Sequence, residues 1–359
     1  MWDTTELINH SRSALSQRFF WEKSSIKWLP AGDHNTAFFH RAVQTRHSKN
    51  SIKVLINSEG VTLSSAQDIK SEAVLHFQRF LQQHQEVCEE VSVASLQNLL
   101  TFRCTSEAAA NLVAPVTPKE IITALQSLPN DKASGPDGYT KEFFFVAAWP
   151  IVGGEFITAI QSFFLFGFLP TGINATILSL IPMVENAQKM KEFRLIACCN
   201  LLYKVISKVL AGRLQVLMPE VIEPNQSPFV KGRLLLENFL LASELVNGYH
   251  KPSTSPRCAI KLDISKVFDT VKWSFITSVL KAMNLPDQFI RWINICISTA
   301  SFSVAVNGSL EGFFTSTRGI RQGWSLSPYL YVIMNNVLSK MLNEAAAKVS
   351  LSTIQSVEQ

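Results

Sequence analysis

Residues 260–269 read Ile-Lys-Leu-Asp-Ile-Ser-Lys-Val-Phe-Asp. Their types and order suit metal-dependent phosphate chemistry. Ile260 and Leu262 favour a buried strand, Asp263 stands at its end, and helical periodicity follows. A carboxylate at a strand end can hold Mg²⁺ against phosphate oxygens, because this ion takes one or two carboxylates and leaves room for phosphate ligands. The backbone carbonyl of Ile264 offers a further hard oxygen, and Phe268 can set a ring beside whatever the metal holds. Spacing alone also allows a plainer arrangement, in which Asp263 or Asp269 caps the helix that follows. Caps are far commoner than metal sites.

The elements that must position these groups can be read from periodicity. The stretch 1–105 carries polar helical patterns without evident chemistry, and within it Ile69, Ala73, Phe77, Phe80 and Leu81 recur at helical spacing. Thr117-Pro118-Lys119-Glu120 is a capping box with proline at the first helical position, opening a helix to about Leu128 and a compact domain near Val116. Pro129-Asn130 breaks that helix, and Ser134-Gly135-Pro136-Asp137-Gly138 reads as a turn. Thr176–Pro182 is a predicted strand with Phe193–Ala197 as its possible partner. Asn200 is expected to cap a helix with Leu201, Leu202, Val205, Ile206, Val209, Leu210 and Leu214 on its apolar face. Lys204, Lys208 and Arg213 lie off that face, either simply solvated or reaching a nucleic-acid backbone.

Residues 232–248 read as another helix, and a strand then leads to Asp263. Behind it Val271, Phe275, Val279 and Met283 form one helical row. Asn307-Gly308, between Ser301–Val306 and Ser309–Thr315, predicts a hairpin with a type I′ turn. The last helix starts at Ser327-Pro328 and runs through Leu342. Strands and helices mixed in this way suit an α+β architecture.

Composition sets further bounds. A chain of 359 residues allows two domains or one large domain with an extension, and 47% apolar residues exclude the disordered class. The net charge of +5 and a pI of about 8.8 fall short of the strongly basic footprint of dedicated nucleic-acid binders. Charge thus permits nucleic-acid binding without demanding it. None of the six cysteines forms a Cys-x-x-Cys pair or a zinc-type spacing with histidine, and adjacent Cys198 and Cys199 fit buried thiols of a reducing compartment. The acidic, polar start Met-Trp-Asp-Thr-Thr-Glu argues against a secretory signal, so an intracellular location, nucleus or cytoplasm, is expected. The apolar stretch from Phe143 to Met183 is interrupted by Pro150, Gly153, Gly154, Glu155, Gln161, Pro170 and Asn174, so buried helices are expected there and no membrane span.

Other segments keep company with 260–269. Residues 316–331 read Ser-Thr-Arg-Gly-Ile-Arg-Gln-Gly-Trp-Ser-Leu-Ser-Pro-Tyr-Leu-Tyr, and 193–200 read Phe-Arg-Leu-Ile-Ala-Cys-Cys-Asn. Asn225-Gln226-Ser227-Pro228-Phe229-Val230-Lys231-Gly232-Arg233, Ser134–Tyr139 and Gly32–His40 complete the set. In order and spacing these segments resemble the reverse transcriptase of non-LTR (LINE-type) retrotransposons of the kind abundant in plant genomes. The resemblance runs from about Ser25 to about Lys348.

That resemblance implies an α+β right-hand polymerase: fingers and an incomplete palm over 116–359, preceded by a helical linker segment over 1–115. It implies RNA-directed DNA polymerase chemistry, a nucleotidyl transfer on an RNA template and DNA primer with Mg²⁺ as cofactor. Asp263 would be the first catalytic carboxylate and, with the Ile264 carbonyl, a metal ligand. Phe268 would be the gate that stacks on the incoming sugar, Gln322 and Gly323 would line the nucleotide site, and Arg194 would reach the triphosphate. Lys204, Lys208, Arg213, Lys231 and Arg233 fall in segments near template and primer. Taken singly, each of these residues also has an ordinary role as core, loop or surface charge.

The chain departs from the family pattern at several points. Trp324-Ser325 follows Gln-Gly where the family carries Asp-Pro, Cys-Pro or Cys-Ser, and the indole is expected to crowd the nucleotide pocket. Leu195 replaces a proline, and Met183 stands where a phosphate-binding lysine is usual. The family's second metal-binding segment, an aromatic-Ala-Asp-Asp hairpin, is expected a few tens of residues beyond the Gln-Gly loop, yet no Asp-Asp dipeptide occurs up to Gln359. The expectation is a truncated, catalytically inactive copy, a pseudoenzyme, or alternatively a nucleic-acid-binding remnant without catalysis.

Overall fold

The computed structural model describes residues 50–83, 90–130, 132–247, 264 and 266–348, with scattered positions between 41 and 48. The chain divides into two units, each treated by itself. The smaller takes in residues 1–72, 180–194 and 306–309; the larger takes in 73–179, 195–305 and 310–359.

In the smaller unit, strands β1 (Leu55–Ile56) and β2 (Thr62–Leu63) pair antiparallel, Leu55 opposite Leu63. Asn57 makes their turn by accepting N–H bonds from Glu59 (3.0 Å) and Val61 (2.9 Å) through its side-chain oxygen, as an Asx turn does. Asn307 bonds both backbone groups of Ile52 at 2.8 Å, and the Ile56 N–H donates to the Gln188 carbonyl at 2.7 Å. These bonds tie the sequence-distant pieces together. Helix α1 (Ala66–Gln82), which lies mostly in the larger unit, buries Ile69, Ala73, Phe77 and Leu81 of the row that periodicity predicts and leaves Phe80 half-buried.

Further along the larger unit come three capped helices, α2 (Val93–Leu99), α3 (Ser106–Val113) and α4 (Pro118–Ser127). Ser92, Thr105 and Thr117 each accept an N–H bond from the first turn, at 3.1, 3.2 and 3.2 Å. Leu96, Leu100 and Leu112 lie in the same hydrophobic cluster as the rest of the unit, so the core runs across the expected division at 115/116. Helix α5 (Trp149–Phe166) follows a π-helical turn at Phe143–Ala148. By length and composition α5 is the one described helix that could cross a membrane, but it buries Phe156, Ile160, Phe163 and Phe164 in the core cluster.

Strands β3 (Ala175–Pro182) and β4 (Phe193–Cys199) are neighbours, as expected. Next come helices α6 (Leu201–Gln215), α7 (Met218–Val221) and α8 (Leu235–Val246). Of the predicted face on α6, Leu201, Val205, Ile206, Val209, Leu210 and Leu214 are buried and Leu202 is half-buried. Asn200 precedes α6 but its side chain does not cap it. The side-chain oxygen accepts from the Asp137 N–H (3.1 Å), and the amide donates to the carbonyls of Gly172 (2.8 Å) and Ile173 (3.2 Å). The residue fastens two loops rather than one helix end.

The stretch after Asp263 is broken where one helix is expected. Helix α9 (Val267–Thr270) is separate from α10 (Trp273–Ala282), with Val271 and Lys272 extended between them. Helix α11 (Asp287–Ser298), strands β5 (Ser301–Val306) and β6 (Ser309–Thr315), and helix α12 (Ser327–Lys348) complete the unit. Asn307 and Gly308 have φ of +50° and +88°, the backbone a type I′ turn requires. The sheet runs β4-β3-β5-β6, and β3 pairs parallel with β5 from Ala175 opposite Ser301 to Ser179 opposite Ala305. Parallel neighbours need a crossover, and here it carries helices α6 to α11.

Gly135 and Gly138 separate two reasons for glycine in one loop. A β-carbon at Gly135 would overlap the backbone of Cys199 and Asn200, whereas one at Gly138 would meet open space but strain a φ of +76°. Gly135→Ala should lower stability by about 3 kcal/mol, at the upper end of overpacking. Gly138→Ala should cost about 1 kcal/mol, the penalty for a left-handed residue. Urea midpoints of the two variants check this, and equal losses would contradict it.

Candidate functional site

The segment between β6 and α12 is held against α9 and the start of α10. The Gly319 N–H donates to the Val271 carbonyl at 2.8 Å, Ile320 N–H donates to Phe268 at 2.5 Å, and the Trp273 indole donates to the Gly319 carbonyl at 2.7 Å. Gly319 has φ +86°, and a β-carbon there would sit 2.7 Å from the Asp269 carbonyl oxygen, so only glycine allows this approach. On the other side, the Ala197 N–H of β4 donates to the Gln322 carbonyl at 3.2 Å.

This docking leaves a small cavity of about 30 Å³ with Leu178, Leu195 and Phe302 as apolar wall and Asp269, Arg318 and Gln322 as polar lining. Asp269 is 8% exposed. Burial pushes its carboxyl up to about 6, against the opposing pull of Lys266, Arg318 and a hydrogen bond from the Gln322 amide at 3.4 Å. Arg318 donates to the Phe80 carbonyl (3.1 and 2.5 Å) with its guanidinium 5.3 Å from the Phe80 ring centre. The Lys266 ammonium lies 4.7 Å from the same ring centre, and burial lowers its pKa. The cavity therefore offers one carboxyl group and one amide, flanked by two cations.

Among the described residues no group of three or more His, Cys, Asp or Glu could hold a metal ion. The Lys266 and Arg318 charges beside Asp269 also oppose a cation there. The described residues do not compose a Mg²⁺ site, and Asp263 lies outside them.

The other expected site residues are distributed as follows. Gln322 lines the cavity, and Gly323 is exposed beside it with φ +91°. Phe268 is half-buried with its ring 5.1 Å from that of Tyr331, and it is not on the cavity wall. Ile264 is exposed, and Arg194 is exposed in the smaller unit. Trp324 does not crowd the cavity. It is 4% exposed, in the core cluster and stacked on Tyr203 at 5.9 Å, because the turn after Gln322 directs the indole inward.

Two basic residues expected on a nucleic-acid face are committed elsewhere. Arg213 forms a bidentate pair with Glu120 at 2.9 Å for each bond and donates to the Leu112 carbonyl at 2.9 Å. Arg233 donates to four carbonyls around the end of α7: Pro219, Ile222, Glu223 and Gln226. Lys204 donates to the Ala133 carbonyl at 2.6 Å; Lys208 is half-buried and Lys231 exposed.

Asp269, Arg318 and Arg321 are what sequence reasoning missed. Asp269 lies inside α9 and caps nothing. A signal was present, since two arginines flank Gly319-Ile320 directly before Gln322, in a loop bounded by apolar elements.

Because the folded-state pKa of Asp269 is raised above its ordinary 3.8, its protonated form is favoured by folding, and that contribution is lost as pH rises through about 6. The shift corresponds to about 3 kcal/mol. The stability of the wild type minus that of Asp269→Asn should fall by about 2 kcal/mol between about pH 4 and pH 7, most of that total. Urea unfolding at both pH values checks it; a difference that stays flat would refute the assignment.

Residues 184–355 match the family model for reverse transcriptase (RNA-dependent DNA polymerase). Over 342 residues the chain is 27% identical to the Transposon TX1 uncharacterized 149 kDa protein of Xenopus laevis, covering 92% of this chain and 26% of that protein. It is also 27% identical over 216 residues to the Retrovirus-related Pol polyprotein from the type-2 retrotransposable element R2DM of Drosophila melanogaster (60% of this chain, 20% of the relative). A type-1 retrotransposable element R2 polyprotein of Popillia japonica is 27% identical over 232 residues (64% and 30%). The chain thus spans between 20% and 30% of the length of these relatives. With the ordered motifs, the docked Gln322 loop and these matches together, residues 184–355 are a reverse transcriptase domain of the non-LTR, LINE-type kind.

Proposed function

We propose that this chain supplies the fingers and part of the palm of a right-hand polymerase, receiving a nucleoside triphosphate at the Gln322 loop and an RNA template with its DNA primer along neighbouring surfaces. The observation that carries this reading is the cavity itself: Gln322, from the segment after β6, meets Asp269, from the segment after Asp263. Two motifs far apart in sequence converge on one hollow. Gln322 and Gly323 would contact the nucleotide, and Lys204, Lys208 and Lys231 the phosphate backbone, a task that needs only positive charge.

Nucleotidyl transfer uses two Mg²⁺ ions roughly 3.5–4 Å apart, held by carboxylates from more than one segment. Within these 359 residues Asp263 is the single acid that matches the family's metal-binding carboxylates, and no Asp-Asp dipeptide occurs. We therefore read these 359 residues alone as unable to extend a primer, while keeping residual nucleic-acid binding. The alternative of a remnant that only binds is favoured by the cations flanking Asp269, which suit an anionic ligand better than a metal. Grafting the aromatic-Ala-Asp-Asp segment of a relative onto the chain separates the two: restored extension supports the polymerase, and continued silence supports the binder.

Two outcomes are expected of the purified chain. Primer extension on RNA or DNA templates should be absent with Mg²⁺ or Mn²⁺, and extension that disappears in Asp263→Ala would overturn this. Labelled RNA should bind in the non-specific range, roughly 10⁻⁴–10⁻⁶ M at physiological salt, and more weakly as salt rises. Lys231→Ala should weaken that binding, whereas Arg213→Ala, whose guanidinium is paired with Glu120, should leave it unchanged in molecules that remain folded. Binding indifferent to salt would sink the nucleic-acid reading.

A further inference from the structure

The Gln322 side chain has two chemically opposite ends, and the structure gives a reason for the way it points. Its amide nitrogen donates to Asp269 Oδ2 at 3.4 Å, and among the described residues its amide oxygen accepts no bond. That oxygen belongs to a half-buried side chain on the cavity wall, and it is not among the buried atoms left without a partner. An ionised carboxylate only accepts hydrogen bonds, so it can hold the NH₂ end of an amide but not the C=O end. A protonated carboxyl can also donate, and it then holds the C=O end equally well.

We propose that Asp269 fixes which end of the Gln322 amide faces the cavity, so that with Asp269 ionised the site presents a hydrogen-bond acceptor to its ligand. The matching ligand group is a donor, a hydroxyl or an amino group. On protonation of Asp269 that constraint is lifted, so the amide can also turn over and present NH₂, which suits a carbonyl or a phosphate oxygen instead. Asp269 is thus a positioning residue that acts through Gln322.

The surroundings favour such a device. The loop backbone is pinned by Gly319, Ile320 and Trp273, so turning the amide need not move the loop. The charged groups facing Asp269 are Lys266 at the start of α9 and Arg318 from the loop; His76 of α1 faces Lys266, which with burial lowers the histidine's pKa. Both cations favour the ionised carboxylate, burial opposes it, and the balance leaves Asp269 titrating near 6, within reach of ordinary buffers. That the ligand is a nucleotide rests on the function proposed above; the orientation of the amide rests on the contact alone.

The test follows the side-chain NH₂ resonance of Gln322 in protein labelled with ¹⁵N-glutamine, identified by its loss in Gln322→Leu. Between about pH 5 and pH 8 it should move with a midpoint near 6 in the wild type and stay still in Asp269→Asn. In parallel, the affinity for dTTP in Mg²⁺ buffer is measured across the same range. The ratio of wild-type to Asp269→Asn affinity should change by about three- to tenfold, the worth of one hydrogen bond, and taking the ratio cancels the titration of the triphosphate. A resonance that does not titrate in the wild type overturns the inference and leaves the nucleotide reading untouched, and this arm needs no Asp269 variant to fold. A resonance that titrates with dTTP bound at no pH supports the orientation and overturns the nucleotide reading. A flat affinity ratio with dTTP bound overturns the claim that the amide selects the ligand.

Discussion

One guanidinium joins most of what the larger unit needs. Arg321 is 7% exposed and donates to Thr176 on β3 (3.0 Å), to the Tyr203 hydroxyl on α6 (2.5 Å) and to the Cys296 carbonyl on α11 (2.5 Å). Its carbon lies 4.0 Å from the Tyr203 ring centre and 5.8 Å from that of Trp324. Burial pushes the Cys296 thiol up to about 12 and the Tyr203 phenol well up, so neither neighbour supplies a negative charge at neutral pH. No carboxylate forms an ion pair with Arg321 among the described residues. A buried charge in that position is tolerable only when its donors are satisfied, and here they are met by carbonyl, hydroxyl and ring π-density. The consequence reaches the cavity, because the residue after Arg321 is Gln322. The position of the amide is set by its neighbour's anchoring in β3, α6 and α11.

The same anchoring accounts for Trp324. Considered in the sequence, a large indole beside Gln-Gly is a threat to a nucleotide pocket. In the fold the residues alternate in direction: Arg321 inward, Gln322 to the cavity, Trp324 inward again onto Tyr203. Bulk at 324 is absorbed by the core. Among the described residues its buried indole nitrogen finds no partner, a cost that a smaller residue would avoid.

Local signals were legible and long-range ones were not. The Asn307-Gly308 hairpin, the Thr117 cap and the buried rows of α1 and α6 each depend on a few adjacent residues, and each appears where residue chemistry demands. The parallel pairing of β3 with β5 joins residues separated by the whole α6–α11 crossover, and periodicity carries no trace of it. The ion pair of Arg213 with Glu120 is equally remote in sequence, which is why a buried structural arginine can pass for a phosphate contact. Of the cavity lining, Gln322 was singled out in the sequence because its dipeptide sits in an ordered set of motifs. Asp269 was not, because an acid beside a helix start reads first as a cap, and only the tertiary approach of Gly319 shows that it is walled in.

The devices that shape the cavity are independent of those that would run the chemistry. Gly319, Ile320, Trp273 and Arg321 hold the Gln322 loop through backbone groups and aromatic faces, and none of them is a metal ligand. A chain can therefore keep this hollow intact whether or not two carboxylate segments are available to complete a metal pair. Retention of the fold says that the packing constraints persisted; catalytic competence depends on a separate, smaller set of oxygens. The contrast is sharpest at Asp269, where the carboxyl that a metal site would want ionised and free is instead flanked by cations, bonded to an amide and raised toward neutrality by burial. Such a group is better suited to orienting its neighbour than to holding an ion, and the chemistry assigned to this cavity has to be built around that.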